Sequence, residues 1–208
     1  MNSFETDIKR AVCSRGFAAG LILELVILFT AGFDSDLFRM SVPVLCTLPY
    51  STAWLSDYQS GYLKLYLPRT SVNAYIVGKI LACGISGGML EGLGGWIYLY
   101  VRKEEGTQFG LVLVFLSGML WAVLAALLAA VSNSRYLAYG GAFVIYYLLV
   151  ILYERYFQEI YCLYPYEWLA PEHTWVFGEQ GVKLLLGGMI LVISCLYYEI
   201  LRRCIAYG

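Results

Sequence analysis

Charge is scarce in this sequence: Asp, Glu, Lys and Arg make up 14% of 208 residues, against roughly a quarter in ordinary soluble domains. A typical water-soluble globular fold is thereby excluded. The charges that exist nearly balance, with a formal net of −1, and they form no large basic patch, which argues against nucleic acid as a partner. Histidine occurs only as His173, with no Cys or His at ligand spacing, so no metal is expected. The cysteines, Cys13, Cys46, Cys83, Cys162, Cys195 and Cys204, include no CxxC pair. In the topology set out below only Cys162 lies clearly outside, so an intrachain structural disulfide is not expected. Catalytic signatures carry little here. HExxH does not occur, the string Gly84-Ile85-Ser86-Gly87-Gly88 that matches GxSxG lies inside an apolar predicted span with no histidine beside it, and Gly78-Lys79 lacks the upstream glycine and the following Ser or Thr of a phosphate-binding loop. The chain is therefore not expected to be an enzyme or to hydrolyse ATP itself.

What is present is apolar surface. Apolar residues make up 60% of the sequence and the mean hydropathy is +0.67, the profile of an all-α polytopic membrane protein. Residues 1–15 place Phe4, Ile8, Ala11 and Val12 on one helical face, as expected of an amphipathic helix lying along the membrane surface. Lys9, Arg10 and Arg15 ahead of an apolar run imitate a signal peptide. Glu24 inside that run, and the lack of a small-x-small cleavage site of the usual kind, indicate a retained span instead.

Hydropathy predicts six spans, at about 16–33, 37–55, 72–101, 109–131, 137–153 and 182–201, all in one transmembrane domain. Arg39, Pro43 and Pro49 weaken the second, which is read as a kinked span. Residues 154–181 form a polar and aromatic outer segment. With both termini inside, Lys9, Arg10, Arg15, Lys64, Arg69, Lys79, Arg135, Arg202 and Arg203 fall on the inner side, and they outnumber Arg39, Arg102, Lys103, Arg155 and Lys183 outside. The positive-inside bias thus predicts a multi-pass protein of the cell membrane with cytoplasmic termini. Gly84, Gly88 and Gly92 on the third span, and Gly118, Ala122, Ala126 and Ala130 on the fourth, are stripes that let helices approach closely. Glu24 and Glu91, near the middle of the first and third spans, are candidates for a translocation path or for proton coupling, with polar packing as the alternative.

Between the second and third spans lies Trp54 to Lys79, an island of charged and helix-breaking residues. Tyr58, Tyr62, Leu65 and Tyr66 recur there at helical spacing, Gly61 permits close backbone approach, and Pro68 stops the helix. Asp57, Gly61, Lys64, Pro68-Arg69 and Gly78-Lys79 follow an order that resembles the cytoplasmic loop of type-2 ABC transporter permeases. The run Pro165-Tyr166-Glu167-Trp168-Leu169 is similar to the outer re-entrant segment of the same family. This resemblance implies a six-span subunit of an ATP-driven exporter, preceded by an interfacial helix. It also implies a partner ATPase subunit that carries ATP and Mg, and a second permease subunit completing a homo- or heterodimer. Residues 56–70 would be the coupling helix, with Asp57, Tyr58, Gly61, Tyr62, Lys64 and Leu65 meeting the ATPase. Two other classes remain open: a substrate-binding membrane subunit of a vitamin uptake system, and an intramembrane enzyme or scaffold.

Overall fold

Serine side chains set the starts of three helices. Ser14, Ser35 and Ser71 occupy extended backbone and accept hydrogen bonds from the N–H groups of Phe17, Phe38 and Ala74, satisfying donors that a helix start leaves orphaned. Helix ends follow left-handed chemistry: Gly32 (φ 91°) closes one helix, and Lys103 (φ 54°) and Asn133 (φ 53°) follow two others. The computed structural model describes residues 3–63, 71–103, 108–171, 173–175 and 177–207. It contains eight α-helices among them and no strand. These are α1 (Ser3–Val12), α2 (Arg15–Ala31), α3 (Asp36–Leu45), α4 (Ala53–Gln59), α5 (Val72–Arg102), α6 (Gln108–Ser132), α7 (Arg135–Arg155) and α8 (Glu179–Tyr207). A single 3-10 turn, Tyr161–Leu163, sits in the segment between α7 and α8.

Four of these, α5 to α8, are long and apolar enough to cross a membrane, as a membrane protein requires. α1 and α2, bent by 48°, add a fifth if the pair is one broken span. The expected second span is not a single helix. Pro43, which has no N–H to donate, lies inside α3, and turns run from Cys46 to Thr52 before α4 begins. Thr47 and Ser51 hydroxyls donate to the carbonyls of Val44 and Thr47, supporting the irregular backbone locally. Even so, the stretch runs the length of the bundle. Phe38 packs on Phe33, which stacks on Tyr98 near the end of α5, whereas Asp57 reaches Tyr75 near its start.

α5 and α6 form the centre. Of the most apolar stretch of α5, 67% is buried, against 22% for α8, so α8 lies at the periphery. The α5 stripe meets bulky side chains of α6, and Gly87, off that stripe, meets the small-residue stripe of α6. A side chain at Gly84 would touch Met119 and Val123, one at Gly88 would touch Phe115, and Gly87 abuts Ala122 and the Gly118 carbonyl. Both stripes are therefore occupied within the chain.

The segment between α7 and α8 folds back into the bundle. Trp168 is buried and stacks on Trp121 at 5.7 Å between centroids, roughly 20 Å along α6 from its start at 1.5 Å per residue. Trp121 also meets Tyr146 edge to face, so three elements share one aromatic core.

Candidate functional site

One end of the bundle gathers α1, the 46–63 stretch and the first turns of α5 around a single ammonium. Lys79 is 2% exposed. Its Nζ lies 2.7 Å from Asp57 Oδ2, 2.9 Å from Asp7 Oδ1 and 2.8 Å from the Tyr50 hydroxyl. Three partners match the three protons of an ammonium group. The Tyr50 hydroxyl in turn donates to Asp7 Oδ1 at 2.5 Å, and the Tyr75 hydroxyl donates to Asp57 Oδ2 at 3.2 Å. The Tyr50 and Tyr75 rings flank Nζ at 4.9 and 5.4 Å from their centroids, adding cation–π attraction. Arg10, half exposed, reaches Asp57 at 3.5 Å and Asp7 at 4.0 Å. Two carboxylates and two cations make the cluster neutral overall, the condition under which buried charge is tolerated.

This geometry corrects two expectations. Asp57, expected to meet a partner ATPase, points inward and is 4% exposed. Asp7, which lies outside the Phe4, Ile8, Ala11 and Val12 face expected to be apolar, is buried beside Ala11 on the face that packs on α5. Asp7 becomes legible once its charge is matched to Lys79, seventy-two residues away, and that separation is why local periodicity missed it. The same cluster ties the ends of α1, α4 and α5 together.

The outward face of this end carries Tyr58 and Tyr62, 37% and 40% exposed. Tyr58 stacks on buried Trp54 at 5.1 Å. The expected helix 56–70 is interrupted: α4 ends at Gln59, and Ser60 and Gly61 form a turn before Tyr62 and Leu63 resume helical backbone. Gly61 has φ 73°, and no described atom lies within 4 Å of where its Cβ would stand. Its contribution within this chain is therefore the left-handed turn. Gly61→Ala should cost roughly 1–2 kcal/mol, measured as a lower unfolding midpoint in detergent, whereas Gly140→Ala in open space should cause no loss. Lys64 and Leu65, with Tyr66, Pro68 and Arg69, lie outside the described residues.

Glu24 and Glu91 are both fully buried, away from this cluster. At the other end, Glu167, also buried, accepts from His173 N–H at 3.2 Å and from Trp175 Nε1 at 3.3 Å, and lies 2.9 Å from His173 Nδ1. The His173 ring stacks on Tyr161. Sequence reading isolated His173 but missed this carboxylate partner, six residues away inside an apolar run. No protein-family model, curated protein or solved structure matches the chain.

Proposed function

We propose that the chain is the membrane-spanning subunit of an ATP-driven exporter of the type-2 ABC class, with ATP hydrolysed by a separate subunit that docks at the Tyr58–Tyr62 end. One observation carries the reading: the exposed aromatic pair stands directly on a buried ion cluster that binds α4 to α5 and α1. A push on Tyr58 reaches Asp57 on the next residue, passes through a 2.7 Å ion pair to Lys79, and so moves the foot of the 31-residue helix α5. Electrostatic contacts this short in a buried site are stiff, because breaking one leaves a charge without a partner. α1 is held to the same foot through Asp7, so load applied at α4 is shared by both elements. Tyr58 and Tyr62 would be the apolar anchors, while Asp57 transmits force from within.

The chain crosses the membrane six times, counting the bent pair α1–α2 as one crossing and the α3–α4 stretch as another. The end bearing Tyr58 lies in the cytoplasm together with both termini, in keeping with the distribution of Lys and Arg. A second permease subunit completes the cavity. Lys64 and Leu65 continue the docking surface beyond Leu63.

Co-purification of the tagged chain from its own cells in mild detergent tests the reading. The expected result is a stoichiometric partner bearing a phosphate-binding loop, with ATPase activity in the eluate. Tyr58→Ala with Tyr62→Ala should weaken that association at least tenfold, the loss of one or two buried aromatic anchors at 2 kcal/mol or more each. Recovery of the chain alone, with no nucleotide hydrolysis, would overturn the proposal.

A further inference from the structure

The most heavily buried unpaired polar groups lie in the middle of the bundle. Glu24 on α2 and Glu91 on α5 are both 0% exposed. None of their four carboxyl oxygens has a side-chain hydrogen-bond partner among the described residues, while the Cys46 backbone amide lies close to Glu91. Glycines bring the neighbouring backbones against both of them. The Glu24 carboxyl fills the space beside Gly94, one turn beyond Glu91 on α5, and Glu91 Cγ packs against Gly118 of α6. The two carboxyls lie within electrostatic reach of each other.

Among the described residues no positive charge compensates them. α6 carries no charged residue from Phe109 to Ser132, and α2 offers only Arg15 at its start. On α5, Lys79 is engaged by Asp7 and Asp57, and Arg102 stands over the Tyr98 ring, each about 17 Å along the helix from Glu91 at 1.5 Å per residue. On α3, Arg39 stands over the Tyr166 ring. The other titratable groups close by are the Cys46 and Cys83 thiols. A bare carboxylate in such a place costs many kcal/mol, and two would repel each other as well. The Gly94 backbone against the Glu24 carboxyl, and the Gly118 backbone against Glu91, leave no room for a cation with its six or more oxygen ligands.

We infer that Glu24 and Glu91 form an intramembrane proton-binding site, in which each carboxylate takes up one proton from water to become a neutral carboxylic acid when α2 closes on α5. Parting α2 from Gly94 lets water reach the pair, the O–H bonds break, and two protons return to solvent as the carboxylates ionise. Closure of this contact is thereby linked to proton uptake and is favoured at lower pH. The site stands on its own packing and does not rest on the transport reading.

The test uses the full chain in lipid nanodiscs, followed by infrared spectroscopy and unfolding titrations from neutral to alkaline pH. Wild type should show a neutral-carboxyl C=O stretch at neutral pH that each of Glu24→Gln and Glu91→Gln diminishes and the double variant abolishes. The sign of the pH dependence follows from the closed state holding protons that the unfolded chain releases. Above the ordinary carboxylate range, wild-type folding should weaken up to tenfold per pH unit for each proton held. Against that slope, the single variants should lose half and the double variant all. If the double variant does not fold, the two single variants give the same readout. A carboxyl band indifferent to both substitutions would overturn the site. So would a band removed at constant pH by sodium or potassium, which would make the ligand a metal cation.

Discussion

Lys79→Met is expected to lower the stability of the chain by about 3–5 kcal/mol, the largest single effect foreseen for this protein. The substitution keeps the length of the side chain but removes the ammonium, leaving Asp7 and Asp57 buried at 5% and 4% exposure. Arg10 cannot take over, because its guanidinium is half in water and only 3.5 to 4.0 Å from the two acids, a geometry that yields little. Unfolding in detergent, followed by tryptophan fluorescence, measures the loss. The triple variant Asp7→Asn, Lys79→Met, Asp57→Asn separates charge from packing. Removing every charged member of the cluster except Arg10 leaves no carboxylate without a partner, so this chain should recover most of the loss. A Lys79→Met chain as stable as wild type would mean that the acids find water, and the cluster would lose its standing as a rigid joint. Under the proposed function, the triple variant should fold and bind the partner ATPase yet transport poorly. Replacing ionic contacts with packed neutral side chains restores stability without restoring the stiff link from α4 to α5.

Gly87→Leu should have the second largest effect, a loss of about 3 kcal/mol or more from overpacking. Even a single methyl at Gly87 would meet the Ala122 side chain, the Cys46 carbonyl and the Gly118 carbonyl. Two of these neighbours are backbone, which cannot turn aside as a flexible side chain does. The three elements that converge there are α5, α6 and the Cys46 turn, so separation at this point loosens the α5–α6 centre and the broken α3–α4 stretch together. Gly188→Ala is the matched control. Its Cβ would stand in open space on the peripheral helix α8, and replacing glycine in a helix interior should leave stability unchanged or raise it by up to about 1 kcal/mol. Thermal unfolding of the two variants side by side distinguishes close packing from a general effect of replacing glycine. Equal midpoints would remove the α5–α6 contact from the centre of the fold.

Much of the helix plan was legible in the sequence. The predicted spans at 72–101, 109–131, 137–153 and 182–201 fall within α5, α6, α7 and α8, and 16–33 covers nearly all of α2. Those assignments needed only long apolar runs and the residues that interrupt them, both of which act over neighbouring positions. The small-residue stripes were likewise visible as repeats of four. The 37–55 stretch was harder to read. Hydropathy registers Pro43 and Pro49 as weak points in an apolar run, but it does not decide between a kink and a full break, which depends on whether nearby groups satisfy the freed carbonyls.

The candidate site was legible in part. Glu24 and Glu91 stood out because charge is expensive among apolar residues, and so composition alone marks them; Asp57 was singled out by the resemblance of its loop, and Lys79 only as a charge of that loop. Their partners were not marked, since ion pairing depends on which distant segments the fold brings together. Tyr50, a mid-chain tyrosine among nineteen, carries no local sign that its hydroxyl bridges Lys79 and Asp7. The direction of Asp57 was equally hidden. The resemblance set it against a partner subunit, whereas it is buried with Trp54 and Leu55 on the same short helix and faces Lys79.

By itself, then, the sequence determined that this is a helical membrane protein, where most of its helices run and which few charged residues must be accounted for, because apolar periodicity and the cost of burying charge are local and compositional. Only the tertiary structure decided that Asp7, Asp57 and Lys79 neutralise one another at the foot of α5, and that Glu24 and Glu91 meet unpaired against Gly94 and Gly118. A charge is compensated by whatever lies within a few ångströms in space, and separation along the chain does not specify that distance.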